Sequence, residues 1–318
     1  MCYSAQVWQA YQDYVRRFGA EISIREFVEL YASREKGAKV KTAKAMDDAF
    51  LRPGTAETSE IARSIEAWNV QQISELEQLL FRQRKRLVDA ERTLHTRSTK
   101  KALDEQRIAT NKIDWAKRKL TDLRRPTPED RDRRIFPGVY APVMVMEQGR
   151  RVIKPMRYQC RPAGKPAFYD TKYPGTYNAR RDNLEGFWKG QFGHTHGIIV
   201  CDAFYENVSR HRVEGRELAD CETEENVVLE FRPQPRQEML IACLYSHWQN
   251  DGEELWSFAA ITDEPPPEVS AAGHDRCIIP IREENLDAWL SPDQGSLASL
   301  YAILDDRQKP FYEHRLAA

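Results

Sequence analysis

The sequence lacks the features that mark several classes of protein. Its six cysteines form no CxxC pair and have no spacing typical of zinc ligands, so no metal site and no cofactor is expected. No run of 18 apolar residues occurs, and no apolar leader follows Met1. Neither a membrane span nor a secretory signal is therefore predicted. Scattered cysteines in such a chain are typical of a reducing compartment, and we expect a cytoplasmic protein.

A net charge of either sign is also lacking, because 48 Lys and Arg balance 49 Asp and Glu over 318 residues. Residues 82–125, however, hold 15 Lys or Arg against 6 Asp or Glu, a local net charge of +9. The rest of the chain consequently carries −10. Such a segment is either a solvated helix face or an arm that contacts nucleic acid, where basic side chains release phosphate counterions. In the second interpretation, Arg84, Lys85 and Arg86 are candidate DNA contacts.

Residues 56–125 contain neither proline nor glycine. Apolar side chains recur there with helix-like spacing, and the polar residues 95–100 interrupt them. This pattern predicts two long helices in an antiparallel, coiled-coil-like hairpin, closed by Pro126 and Pro128. A single continuous helix is the alternative.

The N-terminal region has a helical pattern. Apolar residues at spacings of three and four predict a helix over residues 4–18, with Ser4 as its cap and Gly19 at its end. A second helix is predicted from Ser23 to about Ser33.

From Ile135 onward, short apolar runs rich in β-formers alternate with Pro, Gly and Asp. The runs are VYAPVMVM, RVIKPMRY, HGIIVCDAFYENV, VVLEFRP, MLIACLYSHW, LWSFAAIT and RCIIPI. They predict a mainly antiparallel, barrel-like or sandwich β core, followed by a C-terminal helix with Ser296 as a cap. The predicted fold class is α+β with flanking helices. Residues 1–55 and 126–318 would form one globular domain, and 56–125 an inserted basic hairpin.

Polar groups lie beside these apolar runs in three short stretches. They are TYNARRD with Asn178 and Arg180, VCDAFYEN with Glu206, and AAGHDRCIIPI with His274 and Arg276. Taken singly, each has an ordinary structural interpretation. A Glu after a strand is usually a surface carboxylate, and a His-Asp-Arg turn is usually a loop with a local ion pair.

Together with the opening MCYSA, these stretches resemble the SOS-response-associated peptidase (SRAP) family, over residues 1–33 and 134–300. The resemblance implies a shield for abasic sites in single-stranded DNA, with nucleoid association if the source is prokaryotic. It also implies a cysteine-type peptidase activity on Met1 and a lyase activity. Cys2 would be the nucleophile, Asn178 would position its amine and the sugar, Glu206 would be the acid/base group, and His274 would assist.

By the same resemblance, Arg180 and Arg276 would bind the phosphates that flank the abasic site. The sequence departs from the family pattern at several points. Ser4 stands where the family has an arginine, so another basic residue would have to take that role. Asp182 replaces a Glu, Asn207 replaces a Trp, and MRYQC stands where a base-stacking tryptophan is usual.

The chemistry suits an N-terminal cysteine. An α-amine has a pKa of about 7.7–8.0, so much of it is neutral at cellular pH. It can condense with the aldehyde of an open abasic sugar. The thiol of the same residue can then close a thiazolidine ring, and this step is fast because it is intramolecular. An internal cysteine offers only the thiol.

Two other functions are alternatives, and the first of them uses the same residues. The chain could be an N-terminal cysteine hydrolase, in which Cys2 attacks a peptide and His274 acts as the base. It could also be a non-enzymatic nucleic-acid-binding protein led by the basic hairpin, with the β domain as scaffold. A stable crosslink to abasic DNA would indicate the abasic-site function, and a cleaved peptide would indicate the hydrolase. In a binding protein, Cys2→Ala would leave all activity intact, whereas deletion of the hairpin would remove it.

Overall fold

The computed structural model describes residues 3–293 and 295–317. The strands there are β1 (Ser4–Val7), β2 (Glu21–Ile22), β3 (Lys41–Thr42), β4 (Arg134–Ile135), β5 (Val139–Glu147), β6 (Arg150–Tyr158), β7 (Asn178–Arg180), β8 (His196–Ser209), β9 (Asn226–Gln234), β10 (Met239–Asn250), β11 (Glu253–Asp263), β12 (Cys277–Ile278), β13 (Pro280–Ile281) and β14 (Phe311–Leu316). The helices are α1 (Tyr11–Phe18), α2 (Ile24–Glu35), α3 (Lys44–Asp48), α4 (Ala56–Thr96), α5 (Lys100–Arg124), α6 (Tyr169–Lys172), α7 (Arg210–Val213), α8 (Pro267–Ala271), α9 (Leu286–Leu290) and α10 (Leu297–Asp305).

Five long strands close into a barrel in the order β5, β6, β11, β10 and β8, with β8 returning to β5. The contact between β6 and β11 is parallel, and the other four contacts are antiparallel. The first half of β8 pairs with β10, whereas its second half leaves that pairing and runs beside β1 and β9. The predicted barrel-like, mainly antiparallel core is confirmed.

The barrel strands are buried on both faces, which explains their nearly continuous apolar runs. Alternate residues such as Ile198 and Val200 pack with side chains of the helices, including Phe27 and Trp289. This helix-covered face must be the outside of the closed barrel. The intervening residues, such as Ile199, belong to a second apolar cluster, which fills the interior.

The N-terminal helix is shorter than predicted. Residues 4–7 form β1, which pairs with both β4 and β8, and α1 begins only at Tyr11. Ser4 is therefore a buried strand residue and caps no helix. Strand pairing with a distant segment outweighs the local helical pattern here. Gly19 does end α1, in a left-handed conformation at φ +60°.

The long hairpin is confirmed, with α4 and α5 joined by a short turn before Thr99. The two helices pack through their own apolar cluster, which includes Leu76, Ala116 and Leu120. An ion pair of 2.5 Å between Glu77 and Arg124 also links them. Within the described residues, no helix is long and apolar enough to cross a membrane.

The base of the hairpin is part of the main body. Ile61 and Ile65 of α4 are fully buried in the cluster that covers the outside of the barrel. The guanidinium of Arg34 stacks on Trp68 at 4.4 Å from the ring centroid. At the other end, Arg125 forms an ion pair of 2.6 Å with buried Asp132. The hairpin is therefore fixed to the body at its base.

Candidate active site

Glu206 lies in the second half of β8 and has no solvent exposure. Residues two apart on a strand share a face, so Glu206 points to the same side as Phe204 and Val208. Both neighbours belong to the interior apolar cluster. A carboxyl group among apolar side chains is disfavoured in its charged form. This environment suits a group that gives and takes a proton, and does not suit a surface carboxylate.

His274 reaches Glu206 from the turn that follows α8. Its Nε2 lies 3.0 Å from Glu206 Oε2. Gly273, at φ +95°, makes this approach possible, because a Cβ atom there would lie 2.9 Å from a methyl carbon of Val208. The chain thus needs a glycine both for its backbone conformation and for the close contact.

The backbone of Arg276 holds the ring of His274 in place. Burial lowers the pKa of His274 to about 4, so the ring is neutral at pH 7. Its Nδ1 lies 2.9 Å from the carbonyl oxygen of Arg276 and 3.3 Å from the backbone nitrogen of the same residue. The shorter contact favours Nδ1–H as donor to the carbonyl, which leaves the Nε2 lone pair facing Glu206.

Asn178 opens β7, which runs parallel to β11 with Asn178 opposite Ala260. Its side chain is buried, and the Tyr158 hydroxyl donates to Asn178 Oδ1 at 3.5 Å. Tyr177, the preceding residue, packs edge-to-face against Tyr3 with ring centroids 6.3 Å apart. The start of the described chain therefore lies beside the strand that carries Asn178. Cys2, the predicted nucleophile, lies outside the described residues.

Arg180 and Arg276 converge on one carboxylate. Arg180 makes two contacts with Asp182, at 3.1 and 2.7 Å. Arg276 approaches the same carboxylate at 3.5 Å. The structure thus brings the two predicted phosphate ligands together from β7 and from the turn before β12. Asp182 neutralises part of their charge.

The hairpin residues that were predicted to contact DNA lie far from the base of the hairpin. Arg84 is 28 residues beyond the start of α4, which corresponds to about 40 Å along a helix axis. Within the described part of the chain, Arg84 and Lys85 are exposed and pair with no carboxylate. Arg86 instead forms an ion pair with Glu105 across the hairpin. Arg86 is therefore neutralised by a carboxylate, whereas Arg84 and Lys85 are not.

Aromatic residues near the site were not singled out from the sequence. Tyr3 packs edge-to-face on Phe136 at 5.7 Å, and both rings are partly exposed. Tyr158, in the MRYQC stretch, is buried and stacks on Phe258 at 5.2 Å. It is therefore not free to stack on a base. The position of Tyr177 next to Asn178 was the one signal that could have pointed to this cluster.

The cysteines that the structure describes offer no competing nucleophile in the site. Burial raises the pKa of Cys160 to about 12 and also raises the pKa values of Cys201, Cys243 and Cys277. Cys221 is exposed. Among residues 3–293 and 295–317, no group of His, Cys, Asp or Glu side chains could hold a metal ion.

The chain matches the family described as SOS response associated peptidase (SRAP) over residues 94–316. This range covers more than two thirds of the chain. The chain belongs to the SRAP family. The matched range includes β4 to β14 and α5, with the motifs around Asn178, Glu206 and His274. No curated protein matches the chain.

Several solved structures are similar to this SRAP chain. One is a protein from Bordetella bronchiseptica with 18% identity, which covers 58% of this chain and 87% of its own, at a TM-score of 0.46. Another, from Bacteroides thetaiotaomicron, has 14% identity and covers 58% of this chain and 77% of its own, also at 0.46. A phage-related protein from Bordetella bronchiseptica has 18% identity, coverages of 58% and 80%, and a TM-score of 0.44.

Proposed function

We propose that this SRAP protein binds single-stranded DNA at abasic sites and joins the open sugar covalently to Cys2 through a thiazolidine ring. The crosslink would protect the site during the DNA damage response. The observation that carries this function is the fully buried Glu206, with Oε2 3.0 Å from His274 Nε2. Such a proton-sharing pair in an apolar environment suits acid/base chemistry.

The first described strand, β1, runs beside the strand that carries Glu206. Ser4 of β1 lies opposite Tyr205 of β8, and Tyr205 precedes Glu206. This pairing of β1 with β8 supports the proposal that Cys2, two positions before Ser4 in the sequence, acts together with Glu206.

The reaction balances without a cofactor. Once Met1 is removed, by this protein or by another agent, the Cys2 amine attacks the aldehyde carbon of the open sugar. The resulting carbinolamine loses water to give an imine, and the thiol then adds to the same carbon. Amine, thiol and aldehyde thus yield a thiazolidine and one water. Because amine and thiol belong to one residue, the ring closure is intramolecular.

Each neighbouring residue has a role in this scheme. Glu206 would protonate the sugar ring oxygen to open the hemiacetal and later assist the departure of water, while His274, at 3.0 Å, would orient the carboxyl group. Asn178 would orient the amine and the sugar. Arg180 and Arg276 would bind flanking phosphates in place of Asp182.

The hairpin would act as a separate arm. We propose that residues 56–125 are an insert in a catalytic domain formed by 1–55 and 126–318. The exposed Arg84 and Lys85 carry unneutralised charge, which suits contacts with DNA beyond the pocket. Arg86 would contribute only if it leaves Glu105.

Intact-mass spectrometry of the protein with an abasic oligonucleotide tests this function. We expect wild type to lack Met1 and to gain the mass of the DNA less one water. Cys2→Ser should form no heat-stable adduct, because an alcohol does not close the sulfur ring. Its amine remains, so borohydride should still trap a Schiff base with abasic DNA.

Cys221→Ser is the matched control, because Cys221 is exposed but has no adjacent amine. It should crosslink as wild type does. Equal heat-stable crosslinking by wild type and Cys2→Ser, or Met1 retained in the crosslinked species, would contradict the mechanism. Release of a cleaved peptide without any crosslink would identify a hydrolase instead. DNA binding that survives Cys2→Ser unchanged, with no adduct in wild type, would indicate a binding protein.

A further inference from the structure

Arg134 is unusual among the arginines that the structure describes. In residues 3–293 and 295–317, every other arginine that is at least partly buried forms an ion pair with a carboxylate, whereas Arg134 forms none. Its Nε donates to Ser4 Oγ at 3.0 Å. Its guanidinium lies over the ring of Tyr205 at 3.8 Å and that of Phe136 at 4.8 Å.

This environment holds a positive charge that forms no ion pair, and the carboxylate of Glu230 acts on it only through space. Burial lowers the pKa of Arg134, yet an arginine remains charged in a protein. Stacking on two aromatic rings offsets part of the cost of burying the cation. Neighbouring Arg133 differs, because Asp202 neutralises it at 2.6 Å. Glu230 makes its direct ion pairs with Arg232 and Arg315, so the guanidinium of Arg134 has no carboxylate in contact and can bind an anion from solution.

Arg134 also borders the candidate site. β4 pairs with β1, with Arg134 opposite Gln6, and the guanidinium reaches back to Ser4. Tyr3, one residue before Ser4, packs on Phe136 and on Tyr177. Tyr177 in turn precedes Asn178. The charge therefore lies at the rim where the chain leads to Cys2.

The rim also offers aromatic surface. Phe136 is 37% exposed and Tyr3 is 39% exposed, which is high for large rings beside a partly buried cation. A cation next to accessible rings is the combination that binds single-stranded nucleic acid, through a phosphate and a stacked base.

We propose that Arg134 and Phe136 form a nucleotide subsite, in which the guanidinium binds a backbone phosphate beside the abasic site and the ring stacks on the adjacent base. This inference rests on the function proposed above. It also accounts for Ser4, which stands where an arginine was expected from the family resemblance. Arg134 supplies a cation at that point from a strand 130 residues away in the sequence.

The test is the salt dependence of binding to a single-stranded oligonucleotide. Arg134→Met should weaken binding at low salt and flatten the slope of log K against log salt by about 0.7, the value for one lost contact. Arg133→Met removes the same charge from the neighbouring, neutralised position and should leave the slope unchanged. Phe136→Leu should weaken binding by about tenfold without changing the slope.

A second measurement covers the case in which Arg134→Met does not fold. Phenylglyoxal modifies accessible guanidinium groups, and peptide mapping locates the product. In wild type, an oligonucleotide should protect Arg134 from modification but leave Arg97, at the hairpin turn, reactive. Unchanged slope in a folded Arg134→Met, or absence of protection, overturns the subsite.

The failure of the subsite and the failure of the function are separable. If wild type binds and crosslinks DNA while Arg134→Met keeps the wild-type slope, only the subsite is wrong. If wild type does not bind single-stranded DNA at all, both the function and the subsite are wrong.

Discussion

The β barrel and the helical hairpin use charge in opposite ways. In the barrel, the groups assigned to chemistry are few, buried or paired, and drawn from distant parts of the sequence, as Glu206 and His274 are. In the hairpin, basic residues are adjacent in sequence and mostly exposed, as Arg84 and Lys85 are. Under the proposed function, the barrel would position single protons and phosphates. The hairpin can contribute only a diffuse attraction to a polyanion.

This difference predicts that substitutions in the two regions affect different measured quantities. Changes in the barrel should alter the rate of a chemical step at saturating DNA. Changes in the hairpin should alter affinity and its dependence on salt, and leave the rate at saturation intact. Substitutions at Glu206, at the hairpin and at Asp182 test whether rate and affinity separate in this way.

Glu206→Gln should have the largest effect. We expect crosslinking at saturating DNA to slow by about 10²- to 10⁴-fold, the usual contribution of a positioned acid or base. Affinity for DNA should stay close to that of wild type, because the amide preserves the shape of the side chain and removes only the transferable proton. Single-turnover crosslinking on a denaturing gel, with a separate binding titration, measures both quantities.

Glu230→Gln is the matched control. Glu230 is also buried and lies on the adjacent strand β9, opposite Tyr205, but it pairs with Arg232 and Arg315. Its loss should leave the crosslinking rate within a few-fold of wild type. If Glu206→Gln crosslinks at the wild-type rate, Glu206 is not the acid/base group of the mechanism.

The same division describes what the sequence could predict. The hairpin follows from local information, because a long stretch without Pro or Gly and with helical spacing has few other structures. The barrel strands are likewise visible as apolar runs. Residues 4–7 were predicted as helix, since only their pairing with β8 makes them a strand. A local sequence pattern does not show that a segment pairs with a strand almost 200 positions away.

The candidate site was predictable only in part. Motifs singled out Glu206 and His274, but not their contact, which depends on the bend at Gly273 against Val208. Arg134 carried no signal in the sequence, because it ends a short charged run that also holds Arg131 and Arg133. Its difference from Arg133 appears only when the carboxylate partners are known.

Neutralising the exposed pair on the hairpin should have an intermediate effect. The double change Arg84→Gln and Lys85→Gln should flatten the salt slope by about 1.4, two contacts at about 0.7 each. This requires an oligonucleotide long enough to reach from the pocket to the hairpin. Crosslinking at saturating DNA should not change. Adding Arg86→Gln should change little more, because Glu105 already neutralises Arg86.

Lys36→Gln with Lys39→Gln removes the same charge from exposed positions beyond α2 and serves as the control. It should leave the slope as in wild type. Identical slopes for the control and the hairpin pair would mean that the basic helices only solubilise the hairpin or dock a protein partner. In that case the charge asymmetry between hairpin and body has no role in DNA binding.

The smallest effect is expected at Asp182. Its carboxylate holds both Arg180 and Arg276, so a phosphate must compete with it. Asp182→Asn should therefore strengthen DNA binding, by about 1.4- to 5-fold if the net contribution of the carboxylate is that of one surface ion pair, about 0.2–1 kcal/mol. Asp305→Asn removes an equal charge from Arg181, at 2.5 Å, and should have no such effect. Weaker binding by Asp182→Asn would show that Asp182 orients the two arginines for the phosphate. In that case charged groups on the surface of the barrel would also position the DNA, whereas those of the hairpin would only attract it.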